Sequence, residues 1–266
     1  MSADAEDPRF GASLDVRFAA SVGAFVEFVA DRGLDHVELR HGHLDVNGTP
    51  DPADLRAVAD RHGVTYTVHA PHVDCTPGNR NETLREAFVA AVRESLDLAA
   101  AIDAAGVVVH GGSTRRRYPD EVNAHAREQA VTSLRECARY AGEVGVPLCL
   151  ENQRETDEKR RHTATPDRLA SFLDDVGVGP ESLRLTLDVG HAKATGVDHG
   201  AFVDRFGDRI QVVHLHDNDG SDDDHDPLPS FRDVAADVGA PYNVLEMKSL
   251  ADVDRCVRDG PAGASR

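Results

Sequence analysis

Apolar positions along the chain follow two alternating patterns. Short runs rich in Val and Leu, four to seven residues long, have the character of buried strands. Between them lie longer stretches in which apolar residues recur every three or four positions. The runs predict eight strands, at residues 10–16, 36–40, 64–69, 107–110, 147–151, 183–188, 211–215 and 243–246. The stretches predict eight helices, at residues 19–32, 52–62, 81–104, 121–144, 165–176, 199–206, 231–238 and 250–258.

Residues that begin and end helices support this division. Thr165 precedes Pro166, the order expected of an N-cap and a first helical residue. Gly63, Gly106 and Gly145 stand just before predicted strands, where a left-handed residue is expected at a helix end. The helix and strand boundaries can therefore be assigned from local signals.

The alternation predicts the fold. Strands that alternate strictly with helices imply parallel strands and right-handed crossovers, and eight such units predict a closed (β/α)8 TIM barrel, an α/β fold. No Gly-x-Gly-x-x-Gly follows the first strand and no Walker motif occurs, which disfavours an open nucleotide-binding sheet. No composition break divides residues 1–266, so we expect a single domain with an ordered core from about residue 10 to residue 258.

The composition is informative mainly about the cellular environment of the protein. The net charge is −18, from 47 Asp and Glu against 29 Lys and Arg, of which only 3 are Lys. Such chains are expected in a halophilic cytoplasm, where molar salt shortens the Debye length to about 3 Å, so the acidity argues only weakly against DNA. With no secretory segment, no apolar run of about 20 residues and no C-x-x-C pair, we expect a cytoplasmic protein without a membrane partner.

The candidate chemistry lies where the predicted strands end. Six strands end in a metal-binding side chain, and these are His69, His110, Glu151, Asp188, His214 and Glu246. Three more such residues follow in the next loops, namely His191, Asp223 and His225. One such residue alone would usually be a structural imidazole or a helix cap, but six at one rim favour a site. Imidazole and carboxylate without thiolate suit Zn, Mn or Co.

Four of these segments also resemble a known family. Leu-Glu-Asn at 150–152, Leu-Asp-Val-Gly-His-Ala at 187–192, Val-His-Leu-His-Asp-Asn at 213–218 and Leu-Glu-Met-Lys at 245–248 are similar to the xylose-isomerase-like TIM barrel superfamily. The resemblance covers roughly residues 10–258. Its two best-known branches are sugar (or sugar phosphate) isomerases and epimerases, and the endonuclease IV enzymes, or AP endonuclease family 2.

The two branches imply different sites. In the sugar branch one divalent ion is held by the residues that match Glu151, Asp188, His214 and Glu246, and the two Glu residues exchange a proton across an enediolate. His191 would then bind a substrate oxygen. His69, His110, Asp223 and His225 would be substrate contacts or bystanders. In the endonuclease branch up to three Zn ions serve hydrolysis at abasic sites in DNA. Its nine ligands match His69, His110, Glu151, Asp188, His191, His214, Asp223, His225 and Glu246.

Other residues separate the branches. The second strand carries Glu38-Leu39, an ending common in the sugar branch, and His72 stands where endonuclease IV enzymes place a DNA-packing aromatic residue. The Gly-Glu-Gly that commonly follows His225 in both branches is missing. We therefore favour a metal-dependent isomerase or epimerase and keep the endonuclease as the alternative. A third possibility is a barrel that binds a metal or a sugar without catalysis. The Glu151/Glu246 pair argues against it, because binding alone needs no paired acid and base.

Two basic clusters follow strand ends and are candidate anion sites for DNA or a sugar phosphate. They are Arg115, Arg116 and Arg117, and Lys159, Arg160 and Arg161. We expect both to face the mouth of the barrel. The alternative is a solvated charge run paired with the neighbouring acidic residues Asp120, Asp157 and Glu158. The sequence leaves the sugar, the metal and the oligomeric state open.

Overall fold

A computed structural model describes residues 7–259. Eight strands form the barrel: β1 Arg9–Leu14, β2 His36–Arg40, β3 Thr65–His69, β4 Val107–His110, β5 Leu148–Glu151, β6 Leu183–Asp188, β7 Ile210–Leu215 and β8 Tyr242–Leu245. Ten α-helices occur in this part of the chain: α1 Val22–Ala30, α2 His41–Asn47, α3 Pro52–His62, α4 Glu82–Ala101, α5 Asp120–Val144, α6 Pro166–Val176, α7 Val189–Ala194, α8 Gly200–Phe206, α9 Phe231–Val238 and α10 Leu250–Asp259.

The eight strands are all parallel and close in sequence order, with β1 pairing both β2 and β8. The predicted single-domain (β/α)8 barrel is therefore confirmed. The predicted ordered core lies within the described residues, whereas residues 1–6 and 260–266 lie outside them. No helix between residues 7 and 259 is both long and apolar enough to cross a bilayer.

Local signals place the helix ends largely as expected. The Thr165 hydroxyl accepts a hydrogen bond from the backbone of Arg168, and Pro166 is the first helical residue. Gly63 and Gly145 are left-handed, with φ of 67° and 76°. The expectation for Gly106 was wrong, because its φ is not positive. A Cβ there would lie 2.8 Å from Cys149 Sγ, so this glycine serves close strand packing.

Three elements at the mouth were not expected from the sequence. Helices α2 and α7 begin directly where β2 and β6 end. The two segments Ser113–Arg115 and Lys159–Arg161, expected as loops, pair as short antiparallel strands, here called the rim sheet. The rim sheet pairs Arg115 of the first basic cluster with Lys159 of the second.

Apolar residues fill the barrel interior below the mouth. Val108, Cys149, Val212 and Val244 form one buried cluster there, so Cys149 is a core residue as expected. The helices pack a larger apolar layer outside the strands. The charged strand ends thus stand on a packed base that holds them rigidly.

Candidate metal centre

The strand register brings the polar strand ends level with one another. His110 pairs with Glu151 across β4 and β5, and Asp188 pairs with His214 across β6 and β7. Side chains of adjacent parallel strands point the same way at paired positions, so each pair presents two metal-binding groups to the mouth. Asp188 also caps α7, because its Oδ1 accepts a hydrogen bond from His191 N at 2.6 Å.

The first ligand set, here called the inner set, surrounds His214 Nδ1. This atom lies 3.9 Å from Glu151 Oε1, 3.9 Å from Asp188 Oδ2 and 3.6 Å from Glu246 Oε1. Ligand atoms of a tetrahedral ion with bonds of about 2.0–2.2 Å are separated by about 3.3–3.6 Å. Glu151, Asp188 and His214 also form one group whose ligand atoms lie within 4.8 Å of one another, and Glu246 joins His214 in an adjoining group.

A second set, the outer set, gathers around the other oxygen of Glu151. His110 Nε2 lies 3.0 Å from Glu151 Oε2, and His69 Nε2 lies 3.6 Å from the same atom. One carboxylate thus faces the inner set with Oε1 and the outer set with Oε2. A carboxylate placed in this way can bridge two cations.

A third set is centred on Asp223. His191 Nε2 and His225 Nε2 each lie 3.3 Å from Asp223 Oδ2. The loop that lacks Gly-Glu-Gly nevertheless folds over the mouth, because Asp217 and Asp226 exchange two backbone hydrogen bonds of 2.8 Å. In this set both histidines contact the Asp223 carboxylate.

Hydrogen bonds fix which ring nitrogen each histidine presents. The Nδ1 atoms of His69, His191 and His225 each lie 2.9 Å from a backbone carbonyl oxygen, those of Ala70, Asn152 and Glu246. A carbonyl oxygen only accepts, so each Nδ1 carries the proton and each Nε2 is free to bind a metal. His214 is reversed: its Nε2 lies 3.0 Å from Glu38 Oε2, which leaves Nδ1 facing the carboxylates.

Buried polar atoms without hydrogen bonds show that the residues fit cations. Among residues 7–259 they include Glu151 Oε2, His214 Nδ1, Asp223 Oδ1 and Glu246 Oε1. An unsatisfied buried polar atom is costly, and each ligand set contributes at least one of these four. Divalent ions would satisfy all of them at once.

Electrostatics point the same way. Burial opposes charge on both His214 and Glu246. Nevertheless Glu246 and Glu38 raise the pKa of His214 to about 10, while His214 and Arg40 hold the pKa of Glu246 well below its usual value. Without metal, a proton on His214 therefore balances part of the carboxylate charge. Metal binding replaces that proton.

Three residues of the centre were not assigned from the sequence. Glu38 orients His214, and its own Oε1 accepts a hydrogen bond from the Ser13 hydroxyl at 3.0 Å. His216 Nε2 lies 3.1 Å from an Asp188 carboxylate oxygen. Arg40 Nη1 lies 3.2 Å from Glu246 Oε1. His216 lies two residues after His214, just beyond the end of β7, and this spacing of two is the signal that could have found it.

Residues of the two predicted basic clusters face different cavities around the rim sheet. Lys159 and Arg161 line the mouth cavity of about 370 Å³, while Arg160, which alternates with them, faces a groove beside α5. Arg116 lines a wider groove of about 780 Å³ that adjoins the mouth. Two of the three expected residues of the second cluster therefore reach the metal centre. Arg115 and Arg117 line neither the mouth nor the wider groove in the described part of the chain.

The mouth cations differ in their partners. Arg154 is paired with Asp222 at 2.6 Å, and Arg116 is paired with Glu155. Within residues 7–259, no ion pair is formed by the Lys159 ammonium or the Arg161 guanidinium, although the Arg161 backbone N–H donates to Glu155 Oε2 at 3.2 Å, and Arg161 Nε is buried without a hydrogen bond. These two cations are thus available to an anionic ligand.

Comparisons with known proteins agree with this architecture. Residues 26–250 match the family model described as xylose isomerase-like TIM barrel. A probable endonuclease 4 of Mycobacterium marinum is 30% identical over 212 residues, which is 78% of this chain and 76% of that protein. An uncharacterized protein of Methanocaldococcus jannaschii is 29% identical over 222 residues, 82% of this chain and 74% of its own length.

Solved structures give the same fold. A D-tagatose 3-epimerase-like protein superposes with a TM-score of 0.79 at 25% identity, covering 93% of this chain and 94% of its own. An L-ribulose 3-epimerase superposes with a TM-score of 0.73 at 18% identity, covering 91% and 82%. The family match extends over most of the barrel, including every ligand set. The chain therefore belongs to the xylose isomerase-like TIM barrel family.

Proposed function

We propose that the chain is a divalent-metal-dependent phosphodiester hydrolase of the endonuclease 4 type, acting on DNA at abasic sites. The observation that carries this proposal is the convergence of all nine predicted ligands into three adjoining sets, two of which share Glu151, at one mouth. The site geometry thus favours the endonuclease, which the sequence analysis kept as the alternative.

The ligand count supports more than one ion. A single ion needs the inner set, and it leaves Asp223, with His191 and His225 aimed at it, without a role. Divalent ions placed together supply Lewis acidity to phosphoryl oxygens and make water a stronger nucleophile. The chain's part is to hold Glu151 rigidly between two sets and to keep each imidazole neutral at its free nitrogen.

The charge at the rim supports an anionic substrate. Lys159 and Arg161 stand on one face of a strand above the ligands, and their side chains form no ion pair in the described chain. Together with Arg154 they also line the wider groove, so these two cations stand where the mouth and the wider groove adjoin. A polyanion such as a DNA strand would use both cavities, whereas a free monosaccharide would need only the first.

Cleavage of a duplex with one abasic site tests the proposal. We expect metal-dependent incision, assayed at low salt and at about 1 M KCl because the acidic surface calls for screening. Asp223→Ala should lower the rate about 100-fold or more by removing the centre of the third set. The neighbouring variant Asp224→Ala is the matched control and should keep near-wild-type activity. Absence of incision by the metal-loaded wild type would refute the proposal.

A second candidate is the sugar isomerase or epimerase favoured from the sequence. Two observations support it: the mouth cavity of about 370 Å³ has room for a monosaccharide, and Glu151 and Glu246 approach His214 from β5 and β8 on different sides. These carboxylates could remove and return a proton beside a carbonyl. The similarity to the D-tagatose 3-epimerase-like protein is in keeping with this chemistry.

Deuterium exchange separates the two functions. An epimerase should incorporate solvent deuterium into a ketose, measured by proton NMR, and Asp223→Ala should leave that exchange largely intact because Asp223 lies outside the inner set. A hydrolase should show no exchange. Sensitivity of the reaction to Asp223 therefore reports which ligand sets the chemistry uses.

A further inference from the structure

His72 lies inside the mouth, next to the outer set. Its ring centroid is 4.9 Å from that of His69 and 4.8 Å from that of His110. One ring nitrogen from each of these three histidines can be chosen so that all three lie within 4.8 Å of one another. No hydrogen bond occupies a His72 nitrogen in residues 7–259, unlike those of His69 and His191.

The position of His72 follows from the chain direction after β3. His69 is the last residue of the strand, and His72, three residues later, lines the mouth cavity. Val73, by contrast, is 73% exposed. His72 therefore faces the ligands, whereas its neighbour faces solvent.

We propose that His72 is a further protein ligand of the outer ion, which is then held by His69, His72, His110 and Glu151. Three imidazoles and one carboxylate make a full tetrahedral shell for zinc or cobalt. The inference rests on the proposed multi-ion centre, but it does not depend on which substrate is cleaved.

A full shell changes what the outer ion does. Structural zinc sites have four protein ligands, whereas catalytic sites keep one position open for water or substrate. With His72 bound, the outer ion fixes Glu151 and neutralises its charge, and the open position lies at the third set, which offers three protein ligands where the inner set offers four. In this chain the outer ion is thus a positioning element for the bridging carboxylate.

Cobalt spectroscopy of a cysteine variant tests the assignment directly. Metal-free wild type, His72→Cys and the control His125→Cys, whose residue is exposed on α5, are titrated with Co2+ under reducing conditions. A thiolate bound to Co2+ adds a charge-transfer band in the near ultraviolet. We expect this band in His72→Cys only, since the four native cysteines are common to all three proteins.

The removal of the ligand gives the second readout. In His72→Ala, we expect one of the three Co2+ equivalents to bind at least tenfold more weakly, with the other two unchanged, while His125→Ala titrates as wild type. If wild type binds three ions and either His72→Cys lacks the band or His72→Ala titrates normally, the role of His72 is refuted and the proposed function stands. If wild type binds a single ion, both proposals fail.

Discussion

Glu38→Gln perturbs the centre without touching any direct ligand. Glu38 Oε2 lies 3.0 Å from His214 Nε2, and both side chains are fully buried. A carboxylate at this distance holds the ring with Nδ1 toward the metal and raises its basicity, and loss of such a partner typically weakens metal binding 10- to 100-fold. This range corresponds to about 1.4–2.8 kcal/mol of binding free energy for the inner ion.

The assay is competition of a calibrated chelator for Zn2+, with circular dichroism to verify the fold. Ser13→Ala is the matched control, because it removes the hydroxyl that donates to Glu38 Oε1 and leaves the pair with His214 intact. We expect a much smaller change in that variant. If Glu38→Gln holds all its ions as tightly as wild type, His214 does not bind metal through Nδ1 in the way described.

Two further predictions concern the rim and the pH dependence of stability. The double variant Lys159→Ser/Arg161→Ser should raise KM for an abasic duplex about tenfold or more, with little change in kcat, and should weaken the salt dependence of binding. The control Arg160→Ser should behave as wild type, because Arg160 faces away from the mouth. Burial lowers the pKa of His162, which stacks on Phe172, to about 4, and it remains near 6.5 in the unfolded chain. The unfolded state therefore binds the extra proton, so stability is retained above pH 6.5 and is lost as the pH falls towards 4. In urea denaturation His162→Phe should lose less stability than wild type between pH 7.5 and pH 5, and parallel losses would contradict this reasoning.

The fold and the clustering of the nine candidate residues at one mouth could be predicted because both leave local signals. A charged residue that ends an apolar strand, as Glu151 and Asp188 do, is costly unless it has a partner, and closure of a barrel brings all such ends together. The role of Glu38 was harder to assign. In the sequence, Glu38-Leu39 indicated only which branch of the family the chain resembles, and nothing there connected Glu38 with His214. Its partnership with His214 joins residues 176 positions apart.

The rim sheet and the third set depend on contacts that sequence patterns do not encode. Lys-Arg-Arg at 159–161 has no apolar alternation, and it forms a strand only because Ser113–Arg115 lies beside it. Asp223 reaches the centre because Asp217 and Asp226 pair and His225 adopts a left-handed φ of 51°. Both outcomes rest on tertiary packing at the mouth.

The number of ions that the chain binds tests the central claim most directly. Metal-free protein loaded with Zn2+, passed through a desalting column and measured by mass spectrometry of the metal should retain three ions per chain. Asp223→Ala should retain two, because it removes the carboxylate between His191 and His225. One ion per chain in the wild type, unchanged by Asp223→Ala, would contradict the three-set centre and return the site to single-ion chemistry.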